Sequence, residues 1–429
     1  MRERLAVAAI LAIGAAACSK HPAMNDEARA RDFVGHLAKR DFAGAVAAFD
    51  DRMKAGLPAD KLAGVWTQVE GQFGAFERVD KLEVTDHRVV AHATFAKASL
   101  VLRISLDPDG KIGGFYISPA DTAKGWTSPP YAKPGAFEER DIKVGELPGT
   151  LTVPKGATHY PVLVLVHGSG PNDRDETIGA VKPFADLAQG LASRGIAVVR
   201  YDKRTRVDPA GVRTQTDEVD DAAHAAVALA RALPDVDPER VALLGHSQGG
   251  YLAPRIAKAD PAIKRLVILA GSTRPLEDSL LAQLRYFATL SPGDRKMKDA
   301  IAEAEQFKQT VDDPKLAPDT MVKLPFDGTV PGAYFLEVRD YHPAEVAAQL
   351  TIPLLVLQGE RDYQVTVADD FAAWQKALAG HANATLRTYP GLNHAFTHGE
   401  GPPSPADYQH PGHVDEHVID DIAAYLDAP

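Results

Sequence analysis

At 429 residues, 45 % hydrophobic and 24 % charged, the chain has the length for two domains and the composition of an ordinary globular protein. A formal net charge of −11, with no basic stripe, argues against a nucleic-acid binder. Cys18 is the single cysteine, which excludes an intrachain disulfide, so the fold must stand on its core.

Arg2 and Arg4 precede an apolar run from Leu5 to Ala17 that is too short to span a bilayer. A basic start, a short apolar middle and small residues at its end describe a secretory signal over residues 1–18. The mature chain is then expected in the periplasm or cell envelope. Cys18 stands where the run stops and resembles the lipobox cysteine of bacterial lipoproteins, which becomes the lipidated first mature residue. Ala15 occupies a position where that motif usually has leucine, and simple cleavage after "AAA" is the alternative. Contact with a membrane is expected only through this lipid anchor.

Residues 25–118 read as a small α+β domain. Helix-like stretches cover Glu27 to Lys39, Phe42 to Lys54 and Lys61 to Phe73. "RVVAHATF" (Arg88 to Phe95), "SLVLRISL" (Ser99 to Leu106) and "KIGGFYI" (Lys111 to Ile117) read as antiparallel strands, with an Asp-Pro-Asp-Gly turn before Lys111. No nucleophile, metal-ligand cluster or phosphate loop appears here, and His87 and His92 read as surface or half-buried residues of a strand. Residues 119–137, rich in proline, glycine and serine, read as a linker.

From residue 138 to 429 strands and helices alternate, which implies a doubly wound, mostly parallel sheet. The strands are "PVLVLVHGSG" (Pro161 to Gly170), "GIAVVRYD" (Gly195 to Asp202), the run before Ser247, "KRLVILAG" (Lys264 to Gly271), "IPLLVLQGERD" (Ile352 to Asp362) and "ATLRTYPGLNH" (Ala384 to His394). Helical patterns fall at Pro183 to Arg194 and Asp217 to Leu233. Between Ser272 and Leu350 charged, helical and proline-bearing sequence replaces the alternation, as an insertion over the sheet in the place of a lid. The basic run "YDKRTR" (Tyr201 to Arg206) reads as a solvated loop.

The stretch "VALLGHSQGGYLAPRIAKA" (Val241 to Ala259) carries the chemistry. A short apolar run ends at a glycine-flanked serine, and a helical pattern follows at once and stops at Asp260-Pro261. Gly245 and Gly249 allow a tight turn and close helix–strand packing. This is the context of a nucleophile elbow, which lifts a serine Oγ above the sheet. In an open α/β sheet function gathers at the carboxyl ends of strands. Two loops there complete the set: "GERD" carries Asp362 and "GLNHAF" carries His394. A serine hydroxyl needs an imidazole to take its proton, and a carboxylate to fix the imidazole tautomer. Ser247, Asp362 and His394, in that chain order, are the candidate catalytic residues. The backbone N–H groups of Gln248 and of Ser169, in "HGSGP", are the candidate oxyanion donors. Glu360 competes with Asp362 for the acid role, and His167 and His246 read as structural.

These motifs resemble the α/β-hydrolase superfamily, specifically bacterial carboxylesterases grouped with serine aminopeptidase-like hydrolases. The resemblance is carried by "HGSGPNDRDETIGAVKPFADLAQGLASRGIAVVRYDKRT" (His167 to Thr205), "GHSQGG", "YFLEVRDYHP" (Tyr334 to Pro343), "GERDYQVT" and "GLNHAF". It covers roughly Glu138 to the C-terminus and implies an α/β-hydrolase fold with a helical lid, preceded in some members by a small α+β module. It favours Asp362 over Glu360. Gln248 stands where leucine is commoner, which leaves a backbone oxyanion donor intact. The expected activity is that of a serine carboxylesterase acting on small acyl esters through an acyl-serine, with no cofactor or metal. The alternatives are a serine peptidase or amidase, with Glu337 and Asp340 holding a substrate amine, and a non-catalytic envelope binding protein. Phe287, Tyr334, Phe335 and Tyr341 are candidate pocket-wall residues of the insertion. His413 and His417 have i, i+4 spacing, but no acidic or cysteine ligand set pairs with them. Asp173, Arg174 and Asp175 are expected to order the loop beyond Ser169.

Overall fold

Asn25, Asp41 and Asp50 each accept the backbone N–H three residues ahead, and each starts a helix: α1 (Asp26–Ala38), α2 (Phe42–Ala47) and α3 (Asp51–Gly56). They belong to the first of two units, which divide at residues 120 and 121. The computed structural model describes residues 25–428, apart from 86, 120–125, 326 and 327. The expected signal segment and Cys18 therefore lie outside the described residues.

The stretch 42–54 reads as one helix in sequence but is two. Phe49 bridges Ile112, the Asp50 N–H bonds Ile112 O, and the Asp50 side chain then caps a new start. Helix α4 (Ala59–Phe73) follows. Strands β1 (Phe76–Thr85), β2 (Arg88–Phe95), β3 (Ala98–Leu106) and β4 (Ile112–Pro119) form an antiparallel sheet in chain order. Phe33, Trp66 and Phe95 lie in the core of this unit.

The second unit opens with a hairpin, β5 (Phe137–Val144) and β6 (Leu147–Pro154). Then come β7 (Tyr160–Val166), α5 (Pro183–Ala192), β8 (Ala197–Tyr201), α6 (Arg204–Val207) and α7 (Asp221–Arg231). Strand β9 (Val236–His246), α8 (Gln248–Ala259) and β10 (Arg265–Leu269) complete the first half. The insertion holds α9 (Leu276–Leu290), α10 (Arg295–Asp312), a small hairpin of β11 (Met321–Lys323) and β12 (Thr329–Pro331), and the short helices α11 (Ala333–Leu336) and α12 (Pro343–Ala347). Strand β13 (Leu354–Gly359), α13 (Ala372–Ala377), β14 (Ala384–Tyr389) and α14 (Glu416–Asp427) finish the chain.

The eight strands run in the order β14-β13-β10-β9-β7-β8-β6-β5, and from β14 to β8 every pairing is parallel. Every residue of β7, β8 and β13 is buried, as a sheet covered on both faces requires. From β7 the chain moves to β8 on one side and returns as β9 on the other. The switch point therefore opens at the carboxyl ends of β7 and β9, where ligand sites form in such sheets. The second half of the expected linker belongs to this unit. Trp126 Nε1 donates to Asp186 Oδ1 at 2.9 Å, and the buried Tyr131 hydroxyl donates to Val414 O at 2.7 Å.

Candidate active site

Ser247 joins β9 to α8 with φ 53° and ψ −113°, in the left-handed region that a side chain rarely occupies. Such a residue carries about 1–3 kcal/mol of strain, which its surroundings must hold. Leu269 O accepts its N–H at 3.1 Å, tying the elbow to the end of β10. The two glycines are needed for close approach. A Cβ on Gly249 would fall 2.3 Å from Val166 O, and one on Gly245 would fall 2.2 Å from Gly249 O. The first turn of α8 thus presses against the end of β7, with its unpaired leading N–H groups at the switch point.

His394 and Asp362 meet across the loops after β14 and β13. His394 Nδ1 lies 2.6 Å from Asp362 Oδ2, and both residues are buried. A carboxylate accepts, so Nδ1 carries the proton and Nε2 is left as the base. Asp362 Oδ1 accepts the N–H groups of Gln364 (2.8 Å) and Val365 (3.0 Å), and Oδ2 also accepts from Gln358 Nε2 at 3.1 Å. Glu360, its rival, is exposed and accepts from Thr388 Oγ1 at 2.8 Å.

Ser247, Gln248, Ser169 and His394 all line one cavity of about 890 Å³. The insertion supplies much of the rest, including Leu276, Leu280, Val311, Phe335 and Val338. Tyr334 and Tyr341 line it too. The Tyr334 hydroxyl meets Glu218 and Gln248, and Tyr341 packs edge-on against Tyr251 with ring centroids 5.1 Å apart. Phe287 instead packs on Tyr286 and Tyr363. The two acids assigned to a substrate amine also lie elsewhere. Glu337 accepts the N–H groups of Gln215 (2.7 Å) and Thr216 (3.1 Å), and Asp340 is exposed away from the cavity lining. Glu277 and Asp278 line the cavity in their place, and burial pushes the Glu277 carboxyl above its usual range.

His167 and His246 are supporting residues. His167 Nε2 donates to Asp173 O at 3.0 Å, and burial holds its imidazole neutral by lowering its pKa. His246 Nε2 donates to His394 O at 2.9 Å. Asp173, Arg174 and Asp175 do order their loop: Asp173 accepts from Asp175 and Thr177, Arg174 pairs with Asp202, and Asp175 pairs with Lys182 and Arg200. His413 precedes α14 and meets Asp186, whereas His417, in its first turn, meets Asp415. No group of three or more metal-ligating side chains occurs among the described residues.

"YDKRTR" requires a correction: it is not a solvated loop. Lys203 is 2 % exposed, and its ammonium bonds Gly168 O (2.7 Å), Gln248 Oε1 (2.8 Å) and Glu218 Oε1 (2.9 Å). Sequence reasoning also missed Glu176 and Glu218, whose partners lie 70 and 15 residues away; each stands in a polar stretch that reads as solvated, so no local signal marks it.

Residues 163–409, more than half of the chain, match the family model described as "Alpha/beta hydrolase family". The chain belongs to this family. The hydrolase is also 36 % identical over 401 residues to esterase EstD of Thermotoga maritima, covering 92 % of this chain and 93 % of that protein. Residues 30–115 match a second model, "Protein of unknown function (DUF3887)". Among solved structures, Est1E from Butyrivibrio proteoclasticus is 18 % identical, with a TM-score of 0.41, over 67 % of the hydrolase and 95 % of Est1E. A Mycobacterium tuberculosis puromycin-hydrolyzing peptidase is 17 % identical, with a TM-score of 0.44, over 82 % of the hydrolase and 47 % of that chain. Family membership rests on the sequence matches.

Proposed function

We propose that the protein is a serine carboxylesterase that hydrolyses small acyl esters through an acyl-serine. The observation that carries this reading is the meeting on one cavity of a serine at a strained helix N-terminus and a histidine oriented by a buried carboxylate. The likeness to an esterase over nearly the whole chain supports ester substrates. A cavity of about 890 Å³ lies within the range of about 300–1,000 Å³ usual for small-molecule sites and has room for an acyl and an alcohol group together.

In this reading Ser247 Oγ attacks the ester carbonyl as His394 Nε2 takes its proton. Asp362 stabilises the imidazolium, and the N–H groups of Ser169 and Gln248 receive the oxyanion. Collapse expels the alkoxide, which leaves as alcohol with the proton from His394. Water then attacks the acyl-serine with His394 again as base, and the acid departs as Ser247 recovers its proton. Each step uses only groups of the chain and water.

Glu277 and Asp278 are carboxylates of the kind a substrate amine requires, so the amidase reading is tested in the same experiment. Turnover is measured on a panel of acyl esters beside aminoacyl amides, for wild type and Ser247→Ala. Esters are expected to dominate, and the variant to lose about 10⁴-fold or more in kcat, because the three residues act as a unit. Wild-type turnover by Ser247→Ala would reject the nucleophile. We also propose export with lipid attachment at Cys18. Mass spectrometry of the mature N-terminus reads this directly, and an unmodified Cys18 or a later start rejects it.

A further inference from the structure

Lys203 is buried behind the wall that carries both expected oxyanion donors. It follows β8 at the carboxyl edge of the sheet and is not among the residues that line the cavity, whereas Ser169 and Gln248 are. An ammonium has three donors, and the three short contacts of Lys203 use them all. One is to Gly168 O at 2.7 Å. That oxygen shares a peptide unit with the Ser169 N–H. In a planar trans peptide the carbonyl and N–H point to opposite sides, so anchoring the oxygen on Lys203 turns the Ser169 N–H away from it. A Cβ on Gly168 would fall 3.1 Å from Ser247 Cβ, so this peptide lies against the nucleophile itself.

The second contact reaches the other donor residue. Gln248 Oε1 accepts from Lys203 at 2.8 Å, and its Nε2 donates to Tyr334 Oη at 2.9 Å and Glu218 Oε2 at 3.2 Å. Both ends of the Gln248 side-chain amide are therefore held beside the elbow. The third contact is charge balance. Burial would push the Glu218 carboxyl up, but Lys203, Tyr334 and Gln248 together hold it below its usual range. The Lys203 amine is thus paired with Glu218 beside the amide that it anchors, and bonds in such chains polarise one another.

We propose that Lys203 is a positioning residue for the oxyanion hole: it aims the Gly168–Ser169 peptide at the charge that develops on the substrate carbonyl oxygen, and braces that peptide against the Gln248 side chain. The proposal rests on the serine-esterase reading. It explains the otherwise costly burial of a lysine and glutamate beside the nucleophile, since such a pair by itself adds little stability.

The test uses Lys203→Met, which removes the ammonium at similar length. Because that change leaves Glu218 buried without its cation, Lys203→Met/Glu218→Gln is measured as a second variant whose network is neutral. For folded protein of either kind, kcat on a good ester is expected to fall about 10²-fold, the usual effect of one lost donor, with KM within a factor of three. Affinity for a trifluoromethyl ketone, which forms a serine-linked oxyanion, is expected to fall by a similar factor, while inhibition by product alcohol stays unchanged. A folded double variant with kcat and ketone affinity near wild type overturns the role of Lys203, as does a loss confined to KM. Ser247→Ala is assayed alongside: retained turnover there overturns the serine reading and this proposal together, whereas its loss leaves the lysine result to stand alone.

Discussion

His246 Nδ1 lies 2.9 Å from Glu176 Oε2, with both side chains almost wholly buried one residue before the nucleophile. The two atoms are close without lining up as a straight hydrogen bond, the arrangement of an ion pair when the imidazole is protonated. Glu176 Oε1 accepts the Gly168 N–H at 2.6 Å, and His246 Nε2 donates to His394 O at 2.9 Å. One charged pair thus links the oxyanion loop, the elbow and the backbone of the base. Glu176 itself has φ 51°, so two strained residues, it and Ser247, flank the same junction.

This pair predicts a pH-dependent stability. Desolvation would lower the His246 pKa, but Glu176 outweighs it and raises the value above the ordinary 6.5. Burial would raise Glu176, but His246 holds it below the ordinary 4.5. A raised histidine stabilises fully below its unfolded pKa and loses that contribution as pH rises through the folded value. A lowered carboxylate stabilises above its unfolded pKa and loses its contribution as pH falls through the folded one. The pair therefore contributes most between about pH 4.5 and 6.5. Glu176→Gln keeps an oxygen for Gly168 and removes the charge; at pH 6 it is expected to cost about 3 kcal/mol, as for a broken buried pair. Calorimetry at pH 6 and pH 9 checks this: the gap in melting temperature should shrink at the higher pH. A constant gap would mean that His246 carries no charge.

A second prediction concerns Gly249→Ala. The added methyl would sit 2.3 Å from Val166 O and 2.8 Å from His167 O, both backbone atoms that cannot swing aside. Relief requires α8 to move off β7, and α8 begins at the nucleophile. The expected cost is about 1–3 kcal/mol or more from overpacking, with a loss of kcat larger than the loss of stability alone explains. Urea unfolding and turnover of the folded fraction separate the two. A variant with wild-type values of both would show that this approach is not needed.

The sheet, and the positions of Ser247, Asp362 and His394 at its carboxyl edge, were legible because they obey simple rules. Strands buried on both faces read as unbroken apolar runs, and Asp362 follows such a run, whereas His394 follows the edge strand β14, which only its flanking Pro-Gly turn and chain position make visible. Strand β5 escaped notice because it is an edge strand: in "FEERDIKV" only the two end residues are buried, so no alternation marks it. Its partner β6 opens with Leu-Pro-Gly, which reads as a turn. Strand β1 is likewise a charged edge with two register irregularities. Lys203 was misread for a different reason. A lysine between an aspartate and two arginines looks solvated, and nothing local shows that Glu218 will fold against it. Pairs made through the tertiary fold leave no periodicity, which is also why Glu337 read as a cavity acid.

The insertion is expected to set acyl preference through Tyr341 and Tyr334, which line the cavity by different attachments. Tyr341 and Tyr251 are mutual anchors: the Tyr341 hydroxyl donates to Tyr251 O at 2.9 Å, their rings cross at 90°, and the Arg255 guanidinium lies 5.8 Å from the Tyr341 ring centre. Tyr251 stands four residues along α8 from Ser247 and lines the same cavity, so Tyr341→Ala both opens a wall and loosens the insertion. Tyr334 is joined instead to Gln248 and Glu218, so Tyr334→Ala opens the wall beside the oxyanion donors. A hydrophobic pocket discriminates one methylene by about 1–3 kcal/mol. The expected result is therefore a graded shift of kcat/KM toward longer acyl chains in both variants. Tyr334→Ala should in addition lose kcat on every ester, because its removal leaves Gln248 Nε2 with only its 3.2 Å bond to Glu218 and leaves Glu218 with one donor fewer. Tyr334→Phe keeps the ring and removes only the hydroxyl, so it should reproduce the loss of kcat without the shift in length. Measuring kcat and KM for acetyl through decanoyl esters with the three variants separates the effects. An unchanged length profile in both folded alanine variants would place acyl selection outside the insertion.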